Sequence, residues 1–566
     1  MRNAYRPALA VTAAAALFLA ACGDGGEGSP GADGGSGETL EISPEGDQNV
    51  TDYEDVADGG ELTLAIAEAA EQQNVFHADM TAYSRDVWNW YNPQLLLAEG
   101  DGTTYPNPEY ITNIDDKLVD GKTVVTYDLN EDAEFNDGTP IDIEAFQATW
   151  RANNGEDEAY TVNSTEGWSE VESVEAGDSD KQVVVTFKRA YPWWAALYGS
   201  VLHPEAAEPE NFSEAYVRQL RPEWGAGPFK VDSADFNSGT FTFVRNEKWW
   251  GREARLEKVT LRQLEDQASI NAFRAGEIDA TGVATKDRLA QAREMGDEIE
   301  LRTSTRAFVA LITLNSEAPG LDDVRVREAV ARAIDRSQLA EIRYNGLEYE
   351  EELPGSLIWY PFQDEYKDNY TQAGGFDAEK SKKILDEAGW EEGSDGVREK
   401  DGEKLSLRYV SIGDDPNTKA TAQAVQQLLR DVGVDVKIEE RPAADFSKVA
   451  NERDFDIFPM GFSASDPFGV AYIGQIYRSD SQLNRSGVNS EEIDAAIAEL
   501  VELPTAEEQT EAGHEIEKEA LEQYGLIPFA NGPIITALKP GLANFGSSSF
   551  AVLPRETIGW EKDAAN

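Results

Sequence analysis

The sequence predicts an α/β protein of two or three domains. Three observations carry that expectation. Strand-like alternation and helix-like periodicity interleave from about residue 61 onward, which is the pattern of mixed sheets packed against helices. The chain has 566 residues, 40% apolar, with 47 Gly and 24 Pro, so it is globular and long enough for large cores. Only one apolar run stands out. It covers about 14 residues near the N-terminus, short of the ~20 that a membrane-spanning helix needs.

The elements follow in order. Arg2 and Arg6 precede an apolar run from about residue 8 to 21, which ends in Leu19-Ala20-Ala21-Cys22. A basic start, an apolar centre and small residues at the end form an export signal. Residues 23–60 hold eleven Gly and eleven Asp or Glu, with no Lys or Arg. Such a segment buries little apolar surface and is expected as a disordered tether over 22–60, spanning roughly 30–40 Å. From Glu61 the pattern changes. Leu62, Leu64 and Ile66 alternate as in a strand. Lys122–Leu129, Lys181–Lys188, Thr240–Arg245 and Val259–Leu264 are rich in β-branched residues and read as further strands. Asp142 is placed to cap a helix over 142–151, and Val324–Leu339 reads as one amphipathic helix. Helices over 380–388 and 420–432 stop at Gly389 and Gly433. Asp401-Gly402 signals a hairpin turn.

Composition excludes several functions. The formal net charge is −58, from 107 acidic and 49 basic residues, so nucleic acid and anionic lipid are repelled. The acidity is spread along the chain, which reads as adaptation to a salty surrounding more than as a ligand site. Cys22 is the sole cysteine, so no intramolecular disulfide forms. Three histidines, His77, His203 and His514, show no metal-binding spacing. No G-x-S-x-G elbow and no phosphate-binding loop occurs. With so many carboxylates, an apparent glycosidase pair carries no weight.

Several segments resemble family 5 solute-binding proteins of bacterial ABC importers, the oligopeptide, dipeptide and nickel binders. The segment 133–150 (AEFNDGTPIDIEAFQATW) is similar to the family's F-x-D-G-x-P core, and 225–229 (GAGPF) to its G-T-G-P-Y/F. So is 246–251 (NEKWWG) to N-x-x-Y-W-G, and 272–279 (AFRAGEID) to its helix-to-strand turn. The longest likeness is 314–336 (LNSEAPGLDDVRVREAVARAIDR), and 384–390 and 424–438 continue in the usual order. Leu19–Cys22 resembles a lipobox, in which the Cys is acylated after cleavage.

The resemblance implies a two-lobe periplasmic-binding-protein-like (Venus-flytrap) fold with an extra subdomain inserted in the first lobe. Residues 1–21 are then a lipoprotein signal peptide, and 22–60 the tether. Residues 61–85, 226–312 and 526–566 form lobe one, 86–225 the inserted subdomain, and 313–525 lobe two. It implies capture of a small solute, foremost an oligopeptide, and delivery to membrane permease subunits. The protein is expected as a monomer on the outer face of the cytoplasmic membrane, held by lipid on Cys22. Catalytic residues, cofactor and metal are not expected. Alternatives are an oligosaccharide ligand, or a surface scaffold that no longer transports.

Two segments carry the expected site. Tyr83–Leu96 resembles the first-lobe loop bordering the cleft, which brings in Ser84. Its Trp88 and Trp90 either stack on ligand or fill the core. Met460–Phe468 resembles the second-lobe segment whose backbone pairs with peptide as an added strand, matching Gly461 and Ser463. The family's amine-binding Asp has no direct match, because the segment is about two residues shorter. Asp466 either takes that role or caps a turn before Pro467.

Overall fold

The computed structural model describes residues 41–562, apart from 45, 348, 414–415, 443–444, 465–466 and 482. Two large sheets organise it. The first has seven strands, in the order Glu300–Thr305, Pro533–Leu538, Ala280–Gly282, Glu61–Ile66, Lys258–Gln263, Thr240–Arg245 and Phe229–Asp235. The second has five, in the order Asp435–Arg441, Ser406–Ile412, Ile457–Ser463, Phe308–Leu314 and Leu526–Ala530. Each sheet mixes parallel and antiparallel pairs and carries helices on its faces, giving two α/β lobes. A separate four-stranded antiparallel sheet, built from residues 111–129 and 171–187, forms the inserted subdomain. Helix Ile143–Asn153 covers it, with Phe146 packed on Tyr127 at 5.4 Å between ring centroids.

The chain crosses between the lobes twice. Thr305 pairs with Pro533 in the first sheet, while Phe308 and Ala530 already belong to the second. The crossings are therefore residues 306–307 and 531–532. This moves the expected boundaries at 312/313 and 525/526 by about six residues. The apolar run 307–312 begins directly after Thr303-Ser304-Thr305-Arg306, so the change of hydropathy falls at the crossing and not at the expected boundary. Glu351 secures the second crossing. Its carboxylate accepts from Asn531 N (2.6 Å), Gly532 N (3.0 Å), the Tyr349 hydroxyl (2.6 Å) and the Tyr344 hydroxyl.

The expected tether is also corrected. Cys22 and residues 1–40 lie outside the described residues, but the segment from 41 to 60 is docked on lobe one. Asp47 pairs with Ser547 and Val56 with Glu561. Val56 is fully buried, and the Arg255 guanidinium lies 3.6 Å from the centroid of Tyr53. Averaged composition hid these few anchors.

The family-like motifs act as scaffold. Asp279 of AFRAGEID accepts from Thr63 N (2.6 Å) and binds Lys539 Nζ (2.6 Å), fixing the first strand. Arg327 donates to the carbonyls of Leu321 and Gln523 (both 2.8 Å). Arg336 donates to Pro528 O (2.5 Å) and lies 4.2 Å over the Tyr370 ring. These buried guanidiniums satisfy backbone oxygens that lie outside regular pairing. The helix expected over 324–339 is broken into Val324–Ala333 and Arg336–Tyr344. Ile334 is extended, and Asp335 accepts from Ser337 N (3.0 Å) as a new cap. Apolar residues recur on both sides of the break, with Val326, Ala329, Val330 and Ala333 buried from the first helix and Leu339, Ala340 and Tyr344 from the second.

Candidate functional site

A cleft of about 1310 Å³ lies between the lobes, over the two crossings. Lobe one gives Leu64, Ala65 and Ile66 from its first strand, then Ser269 and Thr281, and the segment after residue 85 adds Trp90. Lobe two gives Phe308, Tyr344, Tyr409, Pro459 and Met460. Pockets of this size between domains are where extended small ligands bind.

Backbone pairing sets which edge of strand Ile457–Ser463 is free. Asn315 N donates to Asp456 O (3.0 Å), and Ala464 N to Ala307 O (3.1 Å). The register between them is unbroken. Bonded and non-bonded pairs alternate along an antiparallel ladder. The peptide groups of Gly461 and Ser463 therefore point to the opposite edge. Among the described residues that edge is bridged at Ile457, to Tyr409. Gly461 also makes room: a Cβ there would sit 2.3 Å from Phe308 Cζ.

Charge inside the cleft is the reverse of charge outside. The described lining carries Arg288, Arg306, Arg343 and Arg555, with Asp86 as its one carboxylate. Arg288 donates to Ser269 Oγ (2.8 Å) and Thr281 Oγ1 (3.0 Å). Arg555 lies 4.9 Å from the Trp90 ring centroid. Burial lowers its pKa and raises that of Asp86, and their mutual attraction opposes both shifts. Arg306 and Arg343 flank Phe308, with their Cζ atoms 4.4 Å and 5.3 Å from its ring centroid. Arg306 is solvent-accessible, yet the surrounding walls, and next the like charge of Arg343, lower its pKa.

The inserted subdomain also contacts lobe two directly. Gln475 Nε2 donates to Glu166 Oε2 (2.6 Å), and Trp193 Nε1 to Gln509 Oε1 (2.7 Å). Arg189 pairs with Glu502. Burial raises the Glu166 carboxyl to about 7.

The model of bacterial extracellular solute-binding proteins, family 5, matches residues 92–484. The chain belongs to the family 5 bacterial extracellular solute-binding proteins. It is similar to the oligopeptide-binding protein OppA of Mycobacterium tuberculosis (strain ATCC 25618 / H37Rv), 32% identical over 545 residues, covering 93% of this chain and 90% of that protein. Two solved structures share the fold. The periplasmic EDTA-binding protein EppA has a TM-score of 0.82 at 24% identity, covering 93% of this chain and 100% of the other. AppA of Bacillus subtilis, in complex with a nonapeptide, has a TM-score of 0.72 at 19% identity, covering 90% and 100%.

The family 5 site residues expected from sequence distribute unevenly. Trp90 lines the cleft. Trp88 does not. It is buried among Ala206, Phe212 and Tyr216, and its Nε1 donates to Ser200 Oγ (3.2 Å). Ser84 is fully buried; its hydroxyl donates to Gln72 O (2.6 Å) and accepts from Thr81 N (3.0 Å), which makes it a helix-start residue. Gly461 and Ser463 lie just beyond the wall residues Pro459 and Met460. Asp466 lies outside the described residues. Sequence reasoning missed Asp86 and the arginines. One signal was available for Arg306: residues 301–314 contain two Arg and no acidic residue, in a strongly acidic chain.

Proposed function

We propose that this family 5 protein captures an oligopeptide between its lobes and passes it, chemically unchanged, to the permease subunits of an ABC importer. The observation that carries this reading is the free edge of strand Ile457–Ser463, where the backbone groups of Gly461 and Ser463 await an added extended chain. The likeness to OppA and the nonapeptide complex of AppA support it. The protein acts as a monomer anchored through lipid on Cys22 at the outer face of the cytoplasmic membrane. Asp466 accepts the ammonium of the bound peptide.

Mass spectrometry of small molecules retained by the purified soluble body, followed by calorimetric titration with defined peptides, tests the ligand. A retained oligosaccharide, with no affinity for any peptide, would replace the peptide reading. D466N should weaken free peptides more than N-acetylated ones. Equal losses would make Asp466 structural. C22S should release the protein from membranes, and a variant that still carries lipid would end the anchoring proposal.

A further inference from the structure

Part of the segment expected as a tether builds the cleft wall. Gln48 lines the cleft beside Phe545, Gly546 and Ser548 of the C-terminal segment. It precedes the first strand of lobe one and lies outside residues 92–484, the stretch that matches the family. Residues 46–51 form a strap held along residues 544–547. Asp47 N donates to Ser547 O (2.8 Å), and Ser547 N to Asp47 O (3.0 Å). Phe545 N donates to Gln48 O (2.9 Å), and Asn544 N to Asn49 O (3.1 Å). The Asn544 side chain completes the pairing. Its Oδ1 accepts from Thr51 N (2.9 Å), and its Nδ2 donates to Thr51 O (3.0 Å). Gly546 allows the close approach, since a Cβ there would lie 2.1 Å from Asp47 O. A backbone contact that only glycine permits is built into the fold.

The strap presents one polar side chain to the cleft. Gln48 Nε2 donates to Ser547 O (3.1 Å), which fixes the amide. Its Oε1 meets no donor among the described residues and is left as an acceptor in the wall. Closure of the lobes takes water from such a group, so a ligand that supplies a donor is favoured over one that does not. A peptide added to the free edge of strand Ile457–Ser463 pairs alternate backbone groups with lobe two, and its remaining N–H groups point away, into the rest of the cleft. We propose that Gln48 accepts a hydrogen bond from one of these N–H groups, and so discriminates against ligands whose nitrogen at that place carries no proton, as in proline or an N-methylated residue. The ligand class rests on the peptide reading, whereas the contact rests on the strap.

Calorimetry of the purified protein tests this with a hexapeptide selected from a random pool and the set of its singly N-methylated analogues. At one position wild type should lose about threefold to tenfold in affinity on methylation, the scale of one neutral hydrogen bond. Q48A should remove that loss and keep the losses at the positions paired with lobe two. G546V, whose side chain displaces Asp47, should speed hydrogen exchange at the Asp47 and Phe545 amides and remove the same loss. Q48A leaves the strap backbone in place and decides the question where G546V does not fold. An N-methyl profile of the same shape in wild type and Q48A would overturn the proposal, whether or not overall affinity falls. Failure of wild type to bind any peptide of the pool would overturn the peptide reading and this contact with it.

Discussion

Replacing Glu166 by Gln should remove a pH dependence from lobe closure. Glu166, in the inserted subdomain, meets Gln475 of lobe two at 2.6 Å, so opening the cleft breaks this contact and wets the carboxyl. In the structure burial raises its pKa from 4.5 to about 7. Below the lower value the group is protonated in open and closed forms alike and has no effect on closure. Between the two values the closed form keeps the proton that the open form releases, so closure becomes harder as pH rises. Above about 7 the penalty is complete. A shift of roughly 2.5 units corresponds to about 3 kcal/mol as an upper bound. Partial solvent contact reduces this to on the order of 1–2 kcal/mol, or about tenfold in the closure equilibrium. The chain has one cysteine, so D178C and E507C in a C22S background give two defined label sites. Energy transfer between them should report a closed fraction that grows from pH 8 to pH 5, and E166Q should flatten that growth. Identical slopes in both proteins would refute the reasoning.

Two further outcomes test the scaffold. Glu517 is fully buried and accepts from Ser356 Oγ (2.6 Å), Leu357 N (2.8 Å), Asn369 Nδ2 (2.6 Å) and the Tyr477 hydroxyl (3.0 Å). E517A strands four donors and should cost about 3–5 kcal/mol in urea unfolding, whereas a loss under about 1 kcal/mol would mean that water replaces the carboxylate. Gly225 of GAGPF has no room for a side chain, since a Cβ would lie 2.6 Å from Tyr91 O. G225A should cost about 1–3 kcal/mol in the same assay, and an unchanged midpoint would show that the Tyr91 backbone yields freely.

Much of the fold was legible because its signals are local. The strand over Lys122–Leu129 alternates buried and half-buried residues throughout, and Asp142 accepts from Glu144 N (2.9 Å) at the start of its helix. Asp401 and Gly402 both take positive φ in the hairpin turn. The break after Ala333 was not legible, since only Ile334 and Asp335 are extended and apolar residues recur on both sides of them. Nor was the division between Trp88 and Trp90. They lie two residues apart, and only the tertiary neighbours decide that one meets Tyr216 and the other the cleft. The cleft arginines were hidden for the same reason. Arg306 and Arg343 are 37 positions apart and become a pair only because both crossings and one helix end converge on Phe308.

Reversed charge between surface and cleft has a kinetic consequence. At physiological ionic strength the screening length is about 8 Å, so an approaching anion first feels the acidic surface and then, only at close range, the guanidiniums. The surface of a chain with net charge −58 repels it. Added salt screens that long-range repulsion first, while the contacts inside the cleft, shielded by its walls, weaken less. Association of an acidic peptide should therefore quicken as salt rises from about 0.02 M to 0.3 M, the opposite of electrostatic steering. A neutral amidated peptide should show a nearly flat dependence. Stopped-flow tryptophan fluorescence measures both, with Trp90 in the cleft wall as a reporter. If the acidic peptide associates more slowly as salt is added, the attraction of the arginines extends beyond the cleft mouth, and the surface charge does not govern encounter.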